Sequence, residues 1–179
     1  MYHGAVVPGR GIEKCLEVLK YDEELYLVIL GDALSVAYKE KLKKVSVELG
    51  VDDRILFISS VPADELWKYI GAADNSMVLI EPVVRSYYYT LPNKLFEGIQ
   101  AGTPVIGSDL PEIRRIVKKY DIGEVCRYEE TKDIYRAVES IKCSDERQKK
   151  IRKNEEKAAE ILCWEVESER LKAAYRKIW

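Results

Sequence analysis

Metal-binding residues are scarce in this sequence. It has one histidine, His3, and four cysteines, Cys15, Cys126, Cys143 and Cys163, with no C-x-x-C spacing among them. This composition does not indicate a zinc centre built from histidine and cysteine. The four cysteines are expected to be buried thiols in a reducing compartment.

Long apolar runs and an excess of one charge are also missing. No run approaches the roughly 20 residues that a membrane-spanning helix needs, and the first ten residues, MYHGAVVPGR, lack the apolar core of a signal peptide. The 29 Lys and Arg residues nearly balance the 31 Asp and Glu residues. The near-zero net charge produces no overall electrostatic attraction for polyanions, so nucleic-acid binding is disfavoured. A local pocket that binds an anion is still compatible with this composition. We expect a soluble, cytoplasmic protein.

The chain is apolar enough for one compact unit, since 47% of its 179 residues are hydrophobic. Short apolar strands are predicted at residues 25–30, 54–58, 77–80, 104–106 and 123–126. Helical periodicity is predicted at residues 11–19, 36–49, 63–70, 91–101, 111–119 and 132–141. Strands that alternate with helices favour right-handed crossovers, and so predict an α/β fold with a doubly wound, Rossmann-like parallel sheet.

The pattern changes to long helices after residue 143. We therefore divide the chain into a Rossmann-like domain, residues 1–143, and C-terminal helices, residues 144–179, packed on it. Charges such as Glu155, Glu156 and Lys157 are expected on a solvated face. The apolar positions expected to form the packing stripe are Ile151, Ala158, Ile161, Leu162, Val166, Leu171 and Tyr175.

In an open α/β sheet, ligands bind beyond the carboxyl ends of the strands, near helix N-termini that attract anions. The first such junction is residues 3–11, where Gly9 and Gly11 flank Arg10. Glycines let the backbone approach a ligand closely, and a guanidinium can bind a phosphate with two hydrogen bonds. A surface loop with a solvated arginine explains the same residues about equally well.

The next two junctions are less informative. Gly31 and Asp32 are typical turn residues, and the remaining glycines of a G-x-G-x-x-G fingerprint are missing. Ser60 and Val61 precede a helix entry at Pro62, where capping explains the side chains. A function at this third junction would have to come from backbone groups.

The fourth junction, residues 81–97, is the richest. Three tyrosines in a row are followed by Pro92, which fits the first turn of a helix, with Lys94 in that turn and Glu97 three residues later. One interpretation is a Lys94–Glu97 surface pair, worth about 0.3 kcal/mol. In the other, the carboxylate accepts two vicinal sugar hydroxyls while Lys94 and free N–H groups hold phosphate oxygens.

Taken in order, these segments resemble the C-terminal half of a group 1 (family 4) glycosyltransferase of the GT-B type. The resemblance covers nearly the whole chain. The segments that carry it are residues 2–11, 27–32, 53–57, 66–74, 91–97 and 101–106, with the tail around Trp164.

The resemblance implies a nucleotide-sugar donor, a UDP-, GDP- or ADP-sugar, and no further cofactor. Gly4 and Gly11 would shape the phosphate loop, and Arg10 would contact the donor diphosphate. Glu97 matches the family glutamate that binds the nucleotide ribose. The remaining implied donor-binding positions are Lys94 with the backbone around Thr90 and Leu91, at the phosphates or the sugar, and Ser60 and Val61, near the base.

Two departures from the family pattern concern the donor sugar and its leaving group. Tyr89 stands at the donor-binding position where the family often has a first glutamate, and Ala5 replaces a frequent arginine. Arg10 and Lys94 are thus the main cations for the leaving diphosphate. No Asp-x-Asp pair follows a predicted strand, so no metal is expected in the reaction.

The resemblance further implies a retaining transfer of a hexose to a glycan or lipid-linked acceptor. In the family the acceptor is bound by an N-terminal domain that this chain lacks, so these residues alone are expected to be inactive. A full-length enzyme could lie peripherally at a membrane. Two alternatives stay open: half of a non-hydrolysing sugar-nucleotide epimerase, and a non-enzymatic flavodoxin-like binding module.

Overall fold

The computed structural model describes residues 1–177, in which short parallel strands alternate with helices. The strands are β1 (Tyr2–His3), β2 (Leu27–Leu30), β3 (Ile55–Ile58), β4 (Ser76–Val78), β5 (Val105–Ser108) and β6 (Gly123–Cys126). The helices are α1 (Ile12–Val18), α2 (Val36–Leu49), α3 (Leu66–Gly71), α4 (Arg85–Tyr88), α5 (Asn93–Gln100), α6 (Pro111–Tyr120), α7 (Thr131–Lys142), α8 (Asp145–Ile161) and α9 (Trp164–Tyr175). The predicted α/β class is confirmed.

The strands form two three-stranded parallel sheets, ordered β1-β2-β3 and β4-β5-β6. In the first sheet His3 is in register with Leu30, which is in register with Ile58. The two sheets meet where the Met77 N–H donates a hydrogen bond of 2.8 Å to the Met1 carbonyl. The carboxyl ends of β1 and β4 therefore lie side by side, at the position where doubly wound folds bind ligands.

Local sequence signals fix helix α2 at its predicted bounds. The Ser35 hydroxyl accepts a hydrogen bond from the Tyr38 N–H and caps the helix, and Gly50 ends it in the left-handed region with φ of 67°.

Helix α5 begins at Asn93, so the predicted start at residue 91 is wrong. Pro92 precedes the helix as its N-cap, with ψ of 146°, rather than lying inside the first turn. Proline also disfavours the helical region for the residue before it, here Leu91. The short helix α4 was not predicted, because four polar and aromatic residues have no apolar period.

The core consists of two apolar clusters that cover the two sheets. The first contains Leu16, Ile29 and Ile106, and the second contains Ile99 and Val105, all of them at most 1% exposed. Because helices cover both faces, the residues of β4 and β5 are buried in either orientation, whereas Leu56 of the edge strand β3 is 55% exposed.

The C-terminal helices differ from each other. Helix α8 packs on the domain through Ile151 and Ala158, whereas α9 has no buried residue among those described. The packing-stripe prediction is wrong for Ile161, Leu171 and Tyr175, which are 44%, 49% and 59% exposed. The predicted tail reached Trp179, and its residues 178 and 179 lie outside the described residues.

Glu155 is completely buried, so its predicted place on a solvated face is wrong. Its position in α8 is on the same side as Ile151 and Ala158, four residues before and three after, and those residues face the core. Neither carboxylate oxygen has a hydrogen-bond partner among the described residues. Burial raises the pKa of Glu155 to about 9.

The prediction of four buried thiols is correct for only two. Cys15 and Cys126 are buried, but Cys143 is exposed and Cys163 is partly exposed. The last two stand at helix ends, Cys143 after α7 and Cys163 before α9, and not on the faces that pack into the core. Within residues 1–177, no helix combines the length and apolarity needed to cross a membrane.

Candidate functional site

A cavity of about 440 Å³ opens at the carboxyl end of β1, against the start of α5. It brings together most of the residues singled out in the sequence. Its lining consists of Tyr2, His3, Gly4, Ala5, Arg10, Thr90, Leu91, Pro92, Asn93, Lys94 and Glu97.

Gly4 forms the floor of this cavity at the end of β1. Its φ of 104° strongly favours glycine, and a Cβ built there would meet no atom within 4 Å. The Gly4 N–H donates to the Leu30 carbonyl at 2.9 Å, which holds the loop against β2. The backbone is thus fixed, and the space above it is open to a ligand.

The start of α5 supplies backbone donors. The N–H groups of Asn93 and Lys94, the first two residues of the helix, have no acceptor within it. The Leu95 N–H already donates to the Pro92 carbonyl at 3.0 Å. The positive end of the helix dipole therefore lies at the cavity, which favours an anion.

Lys94 is 8% exposed, and its Nζ has no hydrogen-bond partner among the described residues. The ammonium lies 3.8 Å from the centroid of the Tyr2 ring. Burial, together with the positive charge of Arg10, lowers the pKa of Lys94 to about 7, although Cys15 and Glu97 act in the opposite direction. The Lys94–Glu97 surface pair is therefore wrong: the lysine is buried with its ammonium against the Tyr2 ring.

Glu97 contacts His3 instead. Its Oε2 lies 3.1 Å from the His3 Nε2, and the glutamate side chain is 40% exposed whereas the histidine side chain is fully buried. From the sequence, His3 was placed at the first junction but was given no role in binding. Its position at the end of the first strand, directly before Gly4, is the signal that could have placed it in the site.

Arg10 lies in the loop that leads to α1. Its guanidinium lies 4.8 Å from the centroid of the Tyr87 ring, a cation–π contact. Gly11 follows with φ of 71°, and it does not line the cavity. A Cβ on Gly11 would lie 2.3 Å from the Leu79 Cβ, so this glycine allows the loop to pack against the segment after β4.

Besides Gly11, three predicted residues lie outside the cavity lining: Ser60, Val61 and Tyr89. The Ser60 N–H donates to Asp32 Oδ1 at 3.2 Å, which joins the ends of β3 and β2. Tyr89 is 55% exposed and contacts Tyr88 edge-on, with ring centroids 4.9 Å apart.

The charges of the cavity suit a phosphate. Arg10, Lys94 and the first turn of α5 favour negative charge, while Glu97 offers carboxylate oxygens to hydroxyl donors. Across residues 1–177, no three His, Cys, Asp or Glu side chains are grouped so that they could hold a metal ion. The arrangement can bind a ligand that carries both phosphates and vicinal hydroxyls.

The fold is that of solved glycosyltransferases. Sucrose-phosphate synthase from Thermosynechococcus elongatus matches with a TM-score of 0.85 at 20% identity, over 99% of this chain and 44% of its own. HepE from Anabaena, in complex with UDP and glucose, matches with a TM-score of 0.76 at 17% identity, over 88% of this chain and 42% of its own. The chain thus spans less than half the length of these two proteins.

A third solved structure is a single domain. It is the C-terminal domain of a glycosyl transferase group 1 family protein from Francisella tularensis, which matches with a TM-score of 0.69 at 16% identity, over 86% of this chain and 80% of its own. The chain therefore has the Rossmann-like fold of one half of a GT-B enzyme.

No curated protein matches the sequence. The family described as glycosyl transferases group 1, however, matches residues 1–158, and the chain therefore belongs to the group 1 glycosyltransferase family.

Proposed function

We propose that this chain binds the nucleotide-sugar donor of a retaining glycosyltransferase that transfers a hexose to a glycan or lipid-linked acceptor. One observation carries the proposal: Arg10, the buried Lys94 and the first turn of α5 share one cavity with the carboxylate of Glu97. A nucleoside diphosphate has phosphates for the cationic groups and ribose hydroxyls for the carboxylate. The complex of HepE with UDP and glucose supports a donor of this class.

In this proposal the cavity residues stabilise the leaving group. Negative charge develops on the diphosphate as the bond to the anomeric carbon breaks. Arg10, Lys94 and the first turn of α5 are already gathered at one cavity in the structure, so little reorganisation is needed when that charge forms. Because Lys94 has a pKa of about 7, it can take up a proton when an anion enters.

Glu97 recognises the ribose in this proposal. An ionised carboxylate accepts hydrogen bonds from two neighbouring hydroxyls. Retention of configuration and the use of a hexose follow from the family resemblance. The backbone around Ser60 and Val61, beyond the cavity lining, is the proposed contact for the base.

Transfer is proposed to need an acceptor-binding domain in addition to these residues. The chain spans 44% of the sucrose-phosphate synthase chain, and its cavity lies open at the sheet edge. We therefore expect the 179 residues to bind donor and to transfer no sugar. A cytoplasmic location is part of the same proposal.

Thermal-shift measurements with UDP, GDP, ADP and their glucose conjugates test the proposal. At least one ligand is expected to raise the melting temperature of the native chain, with a smaller shift for Arg10→Ala and Glu97→Ala. Glu156→Ala, at an exposed position in α8, is the matched control and keeps the native shift. If no nucleoside diphosphate shifts the native chain, the proposed function is wrong.

A further inference from the structure

His3 is a buried polar side chain that the proposed function does not use. Its side chain is fully buried, and its Nε2 lies 3.1 Å from Glu97 Oε2. The other ring nitrogen, Nδ1, is also buried and has no hydrogen-bond partner among the described residues. Among the described residues the ring therefore has one polar partner, Glu97, which lines the cavity.

This contact defines which nitrogen carries the proton. An ionised carboxylate only accepts hydrogen bonds, so Nε2 must be the donor. A neutral ring protonated at Nε2 leaves Nδ1 as a bare acceptor, which avoids a buried and unsatisfied N–H group. His3 is thus a fixed donor directed at Glu97.

The two partners differ in how firmly they are held. His3 pairs with Leu30 in the β1–β2 register, and the next residue, Gly4, donates its N–H to the Leu30 carbonyl. Glu97 extends from α5 with a side chain that is 40% exposed. A long carboxylate side chain loses rotamer freedom when a ligand orders it, and a hydrogen bond from a rigid strand removes part of that cost beforehand.

We propose that His3 is a positioning residue for ribose recognition: its Nε2–H holds the Glu97 carboxylate in place, so that the carboxylate can accept the vicinal ribose hydroxyls of the donor. The inference rests on the proposed function. It adds that selectivity for a ribonucleotide depends on a residue of β1 that does not itself contact the ribose.

Calorimetric titrations test this with paired ligands. UDP, GDP and ADP are titrated into the native chain, and the one that binds best is compared with its 2′,3′-dideoxy analogue. His3→Phe is expected to weaken the ribonucleotide about tenfold, the value of a hydrogen bond to a charged group. It should leave the affinity for the dideoxy analogue unchanged. Equal weakening of both ligands would mean that His3 is merely structural, and would overturn the inference.

Two further variants separate positioning from folding. His3→Gln places an amide donor near the position of Nε2, and it should restore most of the lost affinity. The double variant His3→Phe with Glu97→Gln should bind no more weakly than Glu97→Gln alone, since His3 acts through Glu97. Additive losses would contradict the inference.

Because the chain has one histidine, its NMR signals report on this ring alone. Nitrogen shifts are expected to show the Nε2–H tautomer, and the Nδ1–H tautomer would overturn the inference even when nucleotide binds. A native chain that binds none of the three nucleotides would overturn the proposed function and the inference with it. Native binding with no ribose-dependent effect of His3→Phe would overturn the inference alone.

Discussion

The Nζ of Lys94 lies 3.8 Å from the centroid of the Tyr2 ring and forms no hydrogen bond within the described part of the chain. The π face of the tyrosine attracts this buried ammonium, but it does not offset the loss of water. The pKa of Lys94 falls to about 7 as a result. The cavity is thus lined by a lysine whose amine is expected to take up a proton when an anionic ligand binds.

The first prediction concerns the pH dependence of nucleotide binding. Above pH 7 the free protein carries a neutral Lys94, so anion binding must take up a proton. Affinity for UDP is expected to fall by up to about tenfold per pH unit between pH 7.5 and 9, where the charge of the phosphates is constant because their second pKa is about 6. Calorimetry in buffers of different ionisation enthalpy measures both the affinity and the proton uptake.

Variants identify the group that titrates in that range. Lys94→Met is expected to bind UDP more weakly with no slope between pH 7.5 and 9, and Lys44→Met, at a lysine whose side chain is 79% exposed, keeps the native slope. Cys15 has a pKa of about 11, and burial raises the pKa of Tyr2, so neither neighbour titrates below pH 9. A native affinity that stays constant with pH would contradict this account of Lys94.

The second prediction concerns the buried Glu155. Its pKa is raised from 4.5 to about 9, so the folded chain binds one more proton than the unfolded chain between these pH values. Protonated Glu155 therefore favours the folded state: the free energy of unfolding is unaffected by this group below about pH 4.5 and decreases as the pH rises from there toward 9. Glu155→Met should therefore stabilise the protein at pH 8, by about 2 kcal/mol, and by less at pH 5.

Urea unfolding of this variant at both pH values checks the prediction. Glu156→Met changes the same residue type one position along α8, where the side chain is exposed, and should alter stability by less than about 0.5 kcal/mol. A stabilisation by Glu155→Met that is equal at pH 5 and pH 8 would show that Glu155 does not titrate as described.

The third prediction separates strain from crowding at Gly11. Gly11 and Gly50 have nearly the same φ, 71° and 67°, but a Cβ would lie 2.3 Å from Leu79 at the first and meet nothing at the second. Gly50→Ala should cost about 1 kcal/mol for its backbone conformation. Gly11→Ala should cost about 2 kcal/mol more, since the loop must move. Similar losses in thermal unfolding would show that the contact with Leu79 yields easily.

The fourth prediction concerns the two C-terminal helices. Ile151 of α8 is fully buried, and Ile151→Ala should cost about 3 kcal/mol. Leu171 of α9 is 49% exposed, and Leu171→Ala should change stability by less than about 0.5 kcal/mol. Urea unfolding of both variants measures the difference, and a large loss for Leu171→Ala would mean that α9 packs against the domain in solution.

Those elements that carry their own signals could be predicted from the sequence. Helix α2 has a serine cap, a continuous amphipathic pattern and a terminal glycine, and its predicted and observed bounds agree. The start of α5 was displaced because Pro92 is compatible with both the N-cap and the first turn, and only tertiary packing decides between them. Glu155 is buried although it is a charged residue type, so a prediction based on residue polarity places it at the surface.

The site was predictable only in part. Arg10, Lys94 and Glu97 were found because they stand at predicted strand-to-helix junctions and match a family pattern, and the structure brings them to one cavity. The His3–Glu97 contact joins residues 94 positions apart in the sequence, and no local pattern relates them. The burial of Lys94 was missed for the same reason, since a lysine at a helix start reads as exposed.

The junction between the two sheets offers a way to detect ligand binding through the hydrogen exchange of a backbone amide. His3 and Gly4 belong to the first sheet, whereas Lys94 and Glu97 belong to a helix that packs on the second, and the Met77–Met1 hydrogen bond links the two sheets. In the proposed function, a nucleotide held by both sides would link the two sheets across this junction. Nucleotide binding should therefore slow amide hydrogen exchange at Met77, the middle residue of β4, so that the exchange rate of this one amide measures whether the cavity is occupied.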